Sequence, residues 1–235
     1  MKKQIVCSPV TDINKIQIVE DNVKLEYSIK MIIIGEPGVG KTSIALKGKC
    51  NFDNKYQSTI YFEHSWKNFN VNDTIIRIQI WDTCGQELYH SVVKHFYQEC
   101  RIALLVFSIN DINSFEKCDN WLKELRENAG NDIIIFLIGN KADLNRQRVI
   151  SKEIIEQYVI ENKIDCYEEC SAKTGEGVDK IFKECVKEIY NKYIVPLMNH
   201  SSDRSDTICS SRSTIDLTKP RERSNCKECL CCAQY

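Results

Sequence analysis

Apolar residues in the middle of the chain fall into short runs separated by longer amphipathic stretches. Ser28–Ile34, Ile102–Phe107 and Ile133–Ile138 are apolar runs rich in β-branched residues, which is typical of strands buried on both faces. Asp73–Trp81 alternates apolar and polar residues, as a half-buried strand does. A turn at Asn72-Asp73 predicts that this strand forms a hairpin with the segment before it.

Helical periodicity appears between and after these predicted strands. Apolar residues recur every three or four positions in Phe115–Arg126, Glu153–Ile160 and Val178–Tyr193. Another helix is predicted to begin near Gly40, and Ile164–Cys170 is predicted as the last strand. Alternating strands and helices predict an α/β fold, in which a parallel sheet has helices on both faces.

The two ends of the chain lack this pattern. Residues 1–26 are polar and weakly patterned, so they are interpreted as an N-terminal extension to a domain at 27–195. Residues 196–235 are rich in Ser, Arg, Asp, Lys and Cys, with few large apolar side chains. Such a segment cannot bury enough apolar surface to order itself, which predicts a flexible tail.

Composition narrows the class of protein. The 235 residues carry a net charge of -1, so charge gives no reason to expect a nucleic-acid partner. The start Met-Lys-Lys-Gln predicts no secretory leader, and the apolar runs are too short to span a bilayer. We therefore expect a reduced, cytosolic protein whose membrane contacts come from outside the fold.

A glycine-rich loop lies between the first buried strand and the first helix. Residues 35–42 fit the pattern G-x-x-x-x-G-K-S/T, in which backbone N–H groups and the helix N-terminus face a phosphate. Lys41 is predicted to bind the β- and γ-phosphates, and the Thr42 hydroxyl is suited to Mg²⁺. The predicted phosphate-binding residues of this loop are Gly35, Gly38, Val39, Gly40, Lys41 and Thr42.

A second motif, Asn-Lys-Ala-Asp at residues 140–143, is suited to reading the base. Asp143 can accept hydrogen bonds from N1 and N2 of guanine, whereas adenine would leave this carboxylate desolvated and unpaired. An ATP-dependent enzyme is therefore disfavoured. Asn140 can tie the base edge to the phosphate loop, and the stem of Lys141 can lie over the base. Further candidates for guanine binding follow the last predicted strand: Ser171, Ala172 and Lys173.

A third motif, Asp-Thr-Cys-Gly-Gln-Glu at residues 82–87, directly follows the half-buried strand. Asp82 is placed to hold a Mg²⁺-bound water, and Gly85 can offer its N–H to the γ-phosphate. Gln86 can orient the attacking water and is the candidate catalytic residue. Thr59, between the phosphate loop and this motif, is a second candidate ligand for Mg²⁺.

In this order the motifs resemble those of the Ras superfamily, and they are most similar to the Rab family. The similarity covers residues 27–194 and includes Ile-Gln-Ile-Trp at 78–81 and Leu-Val-Phe-Ser-Ile at 105–109. It implies a P-loop GTPase domain with a six-stranded, mostly parallel sheet that has one antiparallel strand. It also implies that Phe52 stacks on guanine and that Tyr56 closes over the phosphates.

The resemblance implies a switch that binds GTP or GDP with Mg²⁺, hydrolyses GTP slowly and recruits effectors in vesicle traffic. Exchange and activating proteins are its implied regulators. The chain departs from the family pattern at Pro37, at Cys84 and at Tyr61–His64, where Rab proteins usually have Gly after Thr-Ile. Pro37 and the Tyr61–His64 segment motivate one alternative function, a GTP-bound scaffold that barely hydrolyses its nucleotide.

Four of the 13 cysteines lie in the last ten residues: Cys226, Cys229, Cys231 and Cys232. Adjacent cysteines near the C-terminus resemble Rab proteins that carry two prenyl groups, and two lipid chains anchor stably. Cys231 and Cys232 are therefore the predicted lipidation sites. A prenyl transferase, a lipid-binding chaperone and the cytoplasmic face of an intracellular membrane are implied. Zinc binding and unmodified thiols stay open as alternatives.

Overall fold

One sheet organises the computed structural model, which describes residues 16–19, 24–47, 63–82, 97–130, 132–201 and 215–216. Its order is β1-β3-β4-β2-β5-β6-β7, and β8 pairs with β2. β3 is antiparallel to both of its neighbours, and the other pairings are parallel. The strands among these residues are β1 Ile16–Val19, β2 Tyr27–Ile34, β3 Glu63–Val71, β4 Thr74–Asp82, β5 Ile102–Ser108, β6 Ile134–Asn140, β7 Cys166–Glu169 and β8 Ile215–Asp216.

Helices follow most of the parallel strands. They are α1 Lys41–Leu46, α2 Ile112–Glu116, α3 Cys118–Asn128, α4 Lys152–Glu161, α5 Val178–Ile189 and α6 Val195–Ser201, with a 3₁₀ helix at Ala142–Gln147 and a π-helix at Tyr190–Ile194. Asp111 and Ser151 begin α2 and α4, because their side chains accept hydrogen bonds from N–H groups of the first turn. Among the described residues, none of these helices is both long and apolar enough to cross a membrane.

The sheet separates two apolar layers. Alternate residues of β2 point to opposite faces, so Ile33 packs in one layer and Ile32 in the other. The first layer includes Ile44 of α1 and Phe182 of α5, and the second includes residues of α2, α3 and α4. Burial on both faces explains why the central strands read as continuous apolar runs.

The predicted hairpin is present as β3 and β4. Asn72 and Asp73 link the strands with φ angles of 48° and 64°. Two consecutive left-handed residues form the type of tight turn that matches the twist of a hairpin, and Asn and Asp tolerate that conformation better than most residues.

The predicted α/β class, with helices on both faces and one antiparallel strand, is confirmed. The six predicted strands correspond to β2–β7, but the strand count is higher because each end of the chain adds a strand. β1 lies within the segment interpreted as a polar extension, and β8 lies within the predicted tail. The last helical region also continues to Ser201, past the predicted boundary at 195, since Pro196 stands in the first turn of α6, where proline is tolerated.

A buried lysine links the hairpin to α5. Lys67 of β3 is 8% exposed, and its Nζ lies 3.7 Å from the ring centroid of Phe182. Among the described residues, this Nζ has no hydrogen-bond acceptor. Burial lowers the pKa of Lys67 to about 8, and the charge of Asp179 opposes only part of that effect.

We expect replacement of Lys67 by Met to stabilise the protein more at neutral pH than at alkaline pH. Because the folded-state pKa lies below the unfolded-state value, the unfolded chain binds the extra proton between about pH 8 and about pH 10. The cost of burying Lys67 therefore shrinks as the pH rises through that window, by about 1–3 kcal/mol. Urea unfolding of wild type and Lys67→Met at neutral and at alkaline pH measures this effect. The same difference in the free energy of unfolding at both pH values would contradict it.

Candidate nucleotide-binding site

The predicted site motifs lie at one edge of the sheet. The phosphate loop follows β2, residues 140–143 begin at the end of β6, and residues 171–173 follow β7. These strands run parallel, so their carboxyl ends share an edge, which is where open α/β sheets bind ligands.

The phosphate loop curls around the side chain of Lys41. Lys41 Nζ donates to the carbonyl oxygens of Gly35 (2.7 Å) and Glu36 (2.9 Å), and the side chain is buried. Gly40 has a φ of 100°, and a Cβ at this position would collide with the side-chain amide of Asn140. Glycine at position 40 is therefore required both by the backbone conformation and by this close approach.

Asn140 connects three loops. Its Nδ2 donates to the carbonyl oxygen of Val39 (2.7 Å), and its Oδ1 accepts from the backbone N–H of Ala172 (2.9 Å). The side chain is 1% exposed, so both hydrogen bonds are shielded from water. The predicted tie between Asn140 and the phosphate loop is thus matched by a direct hydrogen bond.

Asp143 is exposed at the mouth of this edge, where Ser171 orients it. The Oγ of Ser171 donates to Asp143 Oδ1 (2.6 Å) and accepts from the N–H of Thr174 (3.1 Å). Lys141 adopts a left-handed φ of 65°, and the carbonyl of Lys173 accepts from Lys47 Nζ (3.1 Å). The Ser171–Asp143 hydrogen bond thus joins the loops after β6 and β7, which carry the described residues predicted to read guanine.

Two of the predicted Mg²⁺ ligands are in contact. The Thr42 hydroxyl donates to Asp82 Oδ2, which joins the start of α1 to the end of β4. Asp82 is 1% exposed. A hydroxyl and a carboxylate are hard oxygen donors of the kind that Mg²⁺ prefers, so the residues present fit this ion.

Several predicted residues lie outside the described part of the chain, and their assignments stay predictions: Phe52, Tyr56, Thr59, Tyr61, Cys84, Gly85, Gln86, Cys231 and Cys232. His64 belongs to β3, and Pro37 is exposed on the phosphate loop.

A polar network escaped the sequence interpretation. It lies behind the loops that follow β6 and β7, here called the base-reading loops because they carry residues predicted to read guanine. Arg148 Nη2 lies 2.7 Å from Glu169 Oε2, and both side chains are less than 20% exposed. The hydroxyl of Tyr167 donates to the other carboxylate oxygen of Glu169 (2.5 Å). Arg148 comes just after the 3₁₀ helix that contains Asp143, and Glu169 ends β7. The network therefore joins the two loops that hold the residues predicted to read guanine.

Hydrogen bonds and opposite charges in this network favour the ionised pair, against the effect of burial. The hydrogen bond to Glu169 raises the pKa of Arg148. Burial by itself would raise the pKa of Glu169, but hydrogen bonds from Arg148 and Tyr167 outweigh burial and leave that pKa lowered. The sequence contained a signal for this network. Glu169 is a charged residue near the end of a predicted strand, and a charged residue that is buried there needs a partner.

A second unpredicted contact holds the phosphate loop from outside. Trp121 of α3 is mostly buried, and its Nε1 donates to Glu36 Oε1 (2.9 Å). This hydrogen bond attaches the phosphate loop at Glu36 to α3, between residues that are 85 positions apart in the sequence.

Comparison with known proteins gives one consistent family. A model of the Ras family matches residues 30–191. The Ras-related protein YPTC6 of Chlamydomonas reinhardtii is 32% identical, covering 88% of this chain and 96% of that protein. The GTP-binding protein ypt3 of Schizosaccharomyces pombe is 33% identical, covering 86% and 96%. The Ras-related protein Rab-21 of Bos taurus is 36% identical, covering 69% and 73%.

The fold, the loop arrangement and these matches define the class: the chain belongs to the Ras family of small GTPases. Within that family it is Rab-like, as the Ras-related, Rab and Ypt names of its relatives indicate.

We expect the Arg148–Glu169 pair to slow nucleotide release. Arg148→Met leaves the mostly buried carboxylate of Glu169 without its cation, and Glu169→Gln leaves the guanidinium of Arg148 without its counter-charge, so the two base-reading loops should separate more easily. Each variant should release a fluorescent GDP about tenfold faster, measured by displacement with excess GDP.

Glu168→Gln is the matched control for the release experiment. Glu168 lies beside Glu169 on β7, but its partner Lys180 has a side chain that is 62% exposed, so the pair contributes little. In the double variant Arg148→Met/Glu169→Gln, GDP release should be accelerated by less than the product of the accelerations in the two single variants. Wild-type release rates in both single variants would contradict the role of the pair.

Proposed function

We propose that this protein is a Rab-type switch that binds GTP or GDP with Mg²⁺, hydrolyses GTP slowly and recruits effector proteins. The observation that carries the proposal is the position of Asn140, whose side chain joins the phosphate loop to the loop after β7. This contact supports the proposal that the residues predicted to hold phosphate and those predicted to read guanine form one site.

Guanine recognition is assigned to the carboxylate of Asp143. Ser171 fixes one of its oxygens, so the carboxylate is oriented before a base arrives. Guanine has two N–H donors on the edge that a carboxylate can accept from, whereas adenine would leave the charge unpaired. Phe52 and Lys141 are proposed to lie on the faces of the base.

Phosphate binding is assigned to the loop at residues 35–42 and to Gly85. Lys41 is already oriented by two loop carbonyls, so its ammonium group needs little rearrangement to contact the β- and γ-phosphates. Thr42 and Thr59 would hold Mg²⁺ directly, and Asp82 would hold it through water. When bound, this ion neutralises charge that develops on the phosphate oxygens.

Hydrolysis is proposed to proceed by in-line attack of water on the γ-phosphate, with Gln86 orienting the water. Lys41 and the backbone N–H groups of the loop stabilise the charge on the transferred group. The protein alone should be slow, and an activating protein could accelerate it by about 10³–10⁵-fold. Loss of the γ-phosphate would release the segments around Thr59 and Gly85.

Replacement of Gln86 by Leu should reduce single-turnover GTP hydrolysis by about 10- to 100-fold, because the attacking water loses its orienting group. The measurement is phosphate release from the protein loaded with GTP and Mg²⁺. GTP affinity should change little, since Gln86 is not assigned to ground-state binding.

Gln147→Leu is the matched control, because it makes the same change at an exposed glutamine of the 3₁₀ helix. It should hydrolyse GTP at the wild-type rate. Equal, negligible hydrolysis in all three proteins, even with an activating protein, would instead support the GTP-bound scaffold that Pro37 and the Tyr61–His64 segment motivate.

A role in membrane traffic rests on the similarity to Rab and Ypt proteins and on the terminal cysteines. We propose that Cys231 and Cys232 receive prenyl groups from a prenyl transferase and that a lipid-binding chaperone carries the protein through the cytosol. The proposed location is the cytoplasmic face of an intracellular membrane. Effector, exchange and activating proteins would act on the protein there.

The variant Cys231→Ser/Cys232→Ser should move from the membrane fraction to the cytosol, since no prenyl chain can be attached to serine. Cell fractionation with an immunoblot measures the shift. Wild-type membrane association of this variant would contradict the anchor.

Cys226→Ser/Cys229→Ser is its matched control and should keep most of the membrane association. If these cysteines instead bind zinc together with Cys231, the purified wild-type chain should contain zinc, and this control should lose it.

A further inference from the structure

The first residues of β2 have β4 as a neighbour on one side but lack β5 on the other. β4 pairs with β2 from Tyr27 to Ile33, whereas β5 pairs with it only from Met31 to Ile34. Tyr27 and Ser28 are each 7% exposed. Buried backbone N–H and C=O groups need hydrogen-bond partners, and a strand on this side of Tyr27 and Ser28 can supply them.

The chain fills that place with its own C-terminal region. β8 pairs in parallel with β2, with Ile215 opposite Tyr27 and Asp216 opposite Ser28. This pairing lies at the amino end of β2, at the opposite end of the strand from the phosphate loop. β8 therefore reaches the base of the sheet and stays clear of the nucleotide site.

The sequence around β8 suits a short strand within a polar region. Residues 214–218 read Thr-Ile-Asp-Leu-Thr, in which β-branched and aliphatic residues alternate with a charged one. Pro220 follows shortly afterwards, and a proline cannot donate to a strand ladder. Residues 214–218 thus form a segment of high strand propensity within a region in which most residues are charged or are Ser or Thr.

We propose that the β2 edge at Tyr27–Ser28 is a docking site for the chain's own C-terminal region, with Ile215–Asp216 as the docked segment. Docking shortens the reach of the terminal cysteines. Cys231 lies 30 positions after Ser201 but only 15 positions after Asp216. At a maximum of about 3.6 Å per residue, the longest possible reach falls from roughly 110 Å to roughly 55 Å.

The effect on membrane distance rests on the proposed lipid anchor, whereas the docking itself does not. A pairing of two residues is short, so docked and released forms should exchange readily. Release of β8 from β2 would about double the largest possible distance between the GTPase domain and the membrane.

Hydrogen–deuterium exchange of the full-length GDP-bound protein tests the docking. Ile215→Pro removes the N–H of a docked residue and fixes its φ angle. We expect the peptides that contain Tyr27–Ser28 and Ile215–Asp216 to exchange about tenfold faster in this variant than in wild type. Ile215→Val, which keeps strand propensity, and Ser210→Pro, which places proline outside β8, should both keep wild-type protection.

Two results would overturn the proposal: exchange at unprotected rates around Ile215 in wild type, or equal protection at Tyr27–Ser28 in wild type and Ile215→Pro. GDP release is measured for each protein and should not differ. If none of the proteins bound GDP, the proposed function would fail, but exchange of the unliganded protein would still decide the docking.

Discussion

The hydrogen bonds of the Asn140 side chain are the constraint on which the rest of the site depends. Loops that follow β2, β6 and β7 reach one edge of the sheet because these strands are parallel, but shared position alone does not fix their spacing. Asn140 fixes it by donating to Val39 and accepting from Ala172. The short approach is possible only because residue 40 has no Cβ. A larger residue at either position would separate the phosphate loop from the base-reading loops.

Around that centre, mostly buried polar contacts hold each loop from behind. The Arg148–Glu169 pair joins the segments that carry Asp143 and Ser171, and Trp121 holds the phosphate loop through Glu36. Such contacts are favourable where both partners are satisfied, because a shielded hydrogen bond competes little with water. The chemistry assigned to Lys41 and Asp143 therefore rests on side chains already oriented by the fold, which is how a site lowers the cost of binding.

Much of the fold could be predicted because its central strands are buried on both faces. Ser28–Ile34 and Ile102–Phe107 are buried on both faces, and the mainly apolar runs that result can be recognised without knowledge of their neighbours. β1 and β8 escaped prediction because four and two residues are too few for a period to be visible. The contact of Asn140 with Ala172 and the partners of Glu169 escaped for another reason, since loop-to-loop contacts depend on the assembled sheet. The motifs around these residues indicated their chemistry, whereas their contacts became visible only in the folded sheet.

Selection of guanine by the carboxylate of Asp143 can be tested by nucleotide competition against bound fluorescent GDP. Wild type should bind GTP far more tightly than ATP or XTP. In Asp143→Asn, the amide can no longer accept from both guanine donors, so GTP affinity should fall by about 100-fold. XTP affinity should rise, because xanthine has a carbonyl where guanine has its amino group. If Asp143→Asn kept the wild-type order of affinities, another residue would read the base, and this account of the site would be wrong.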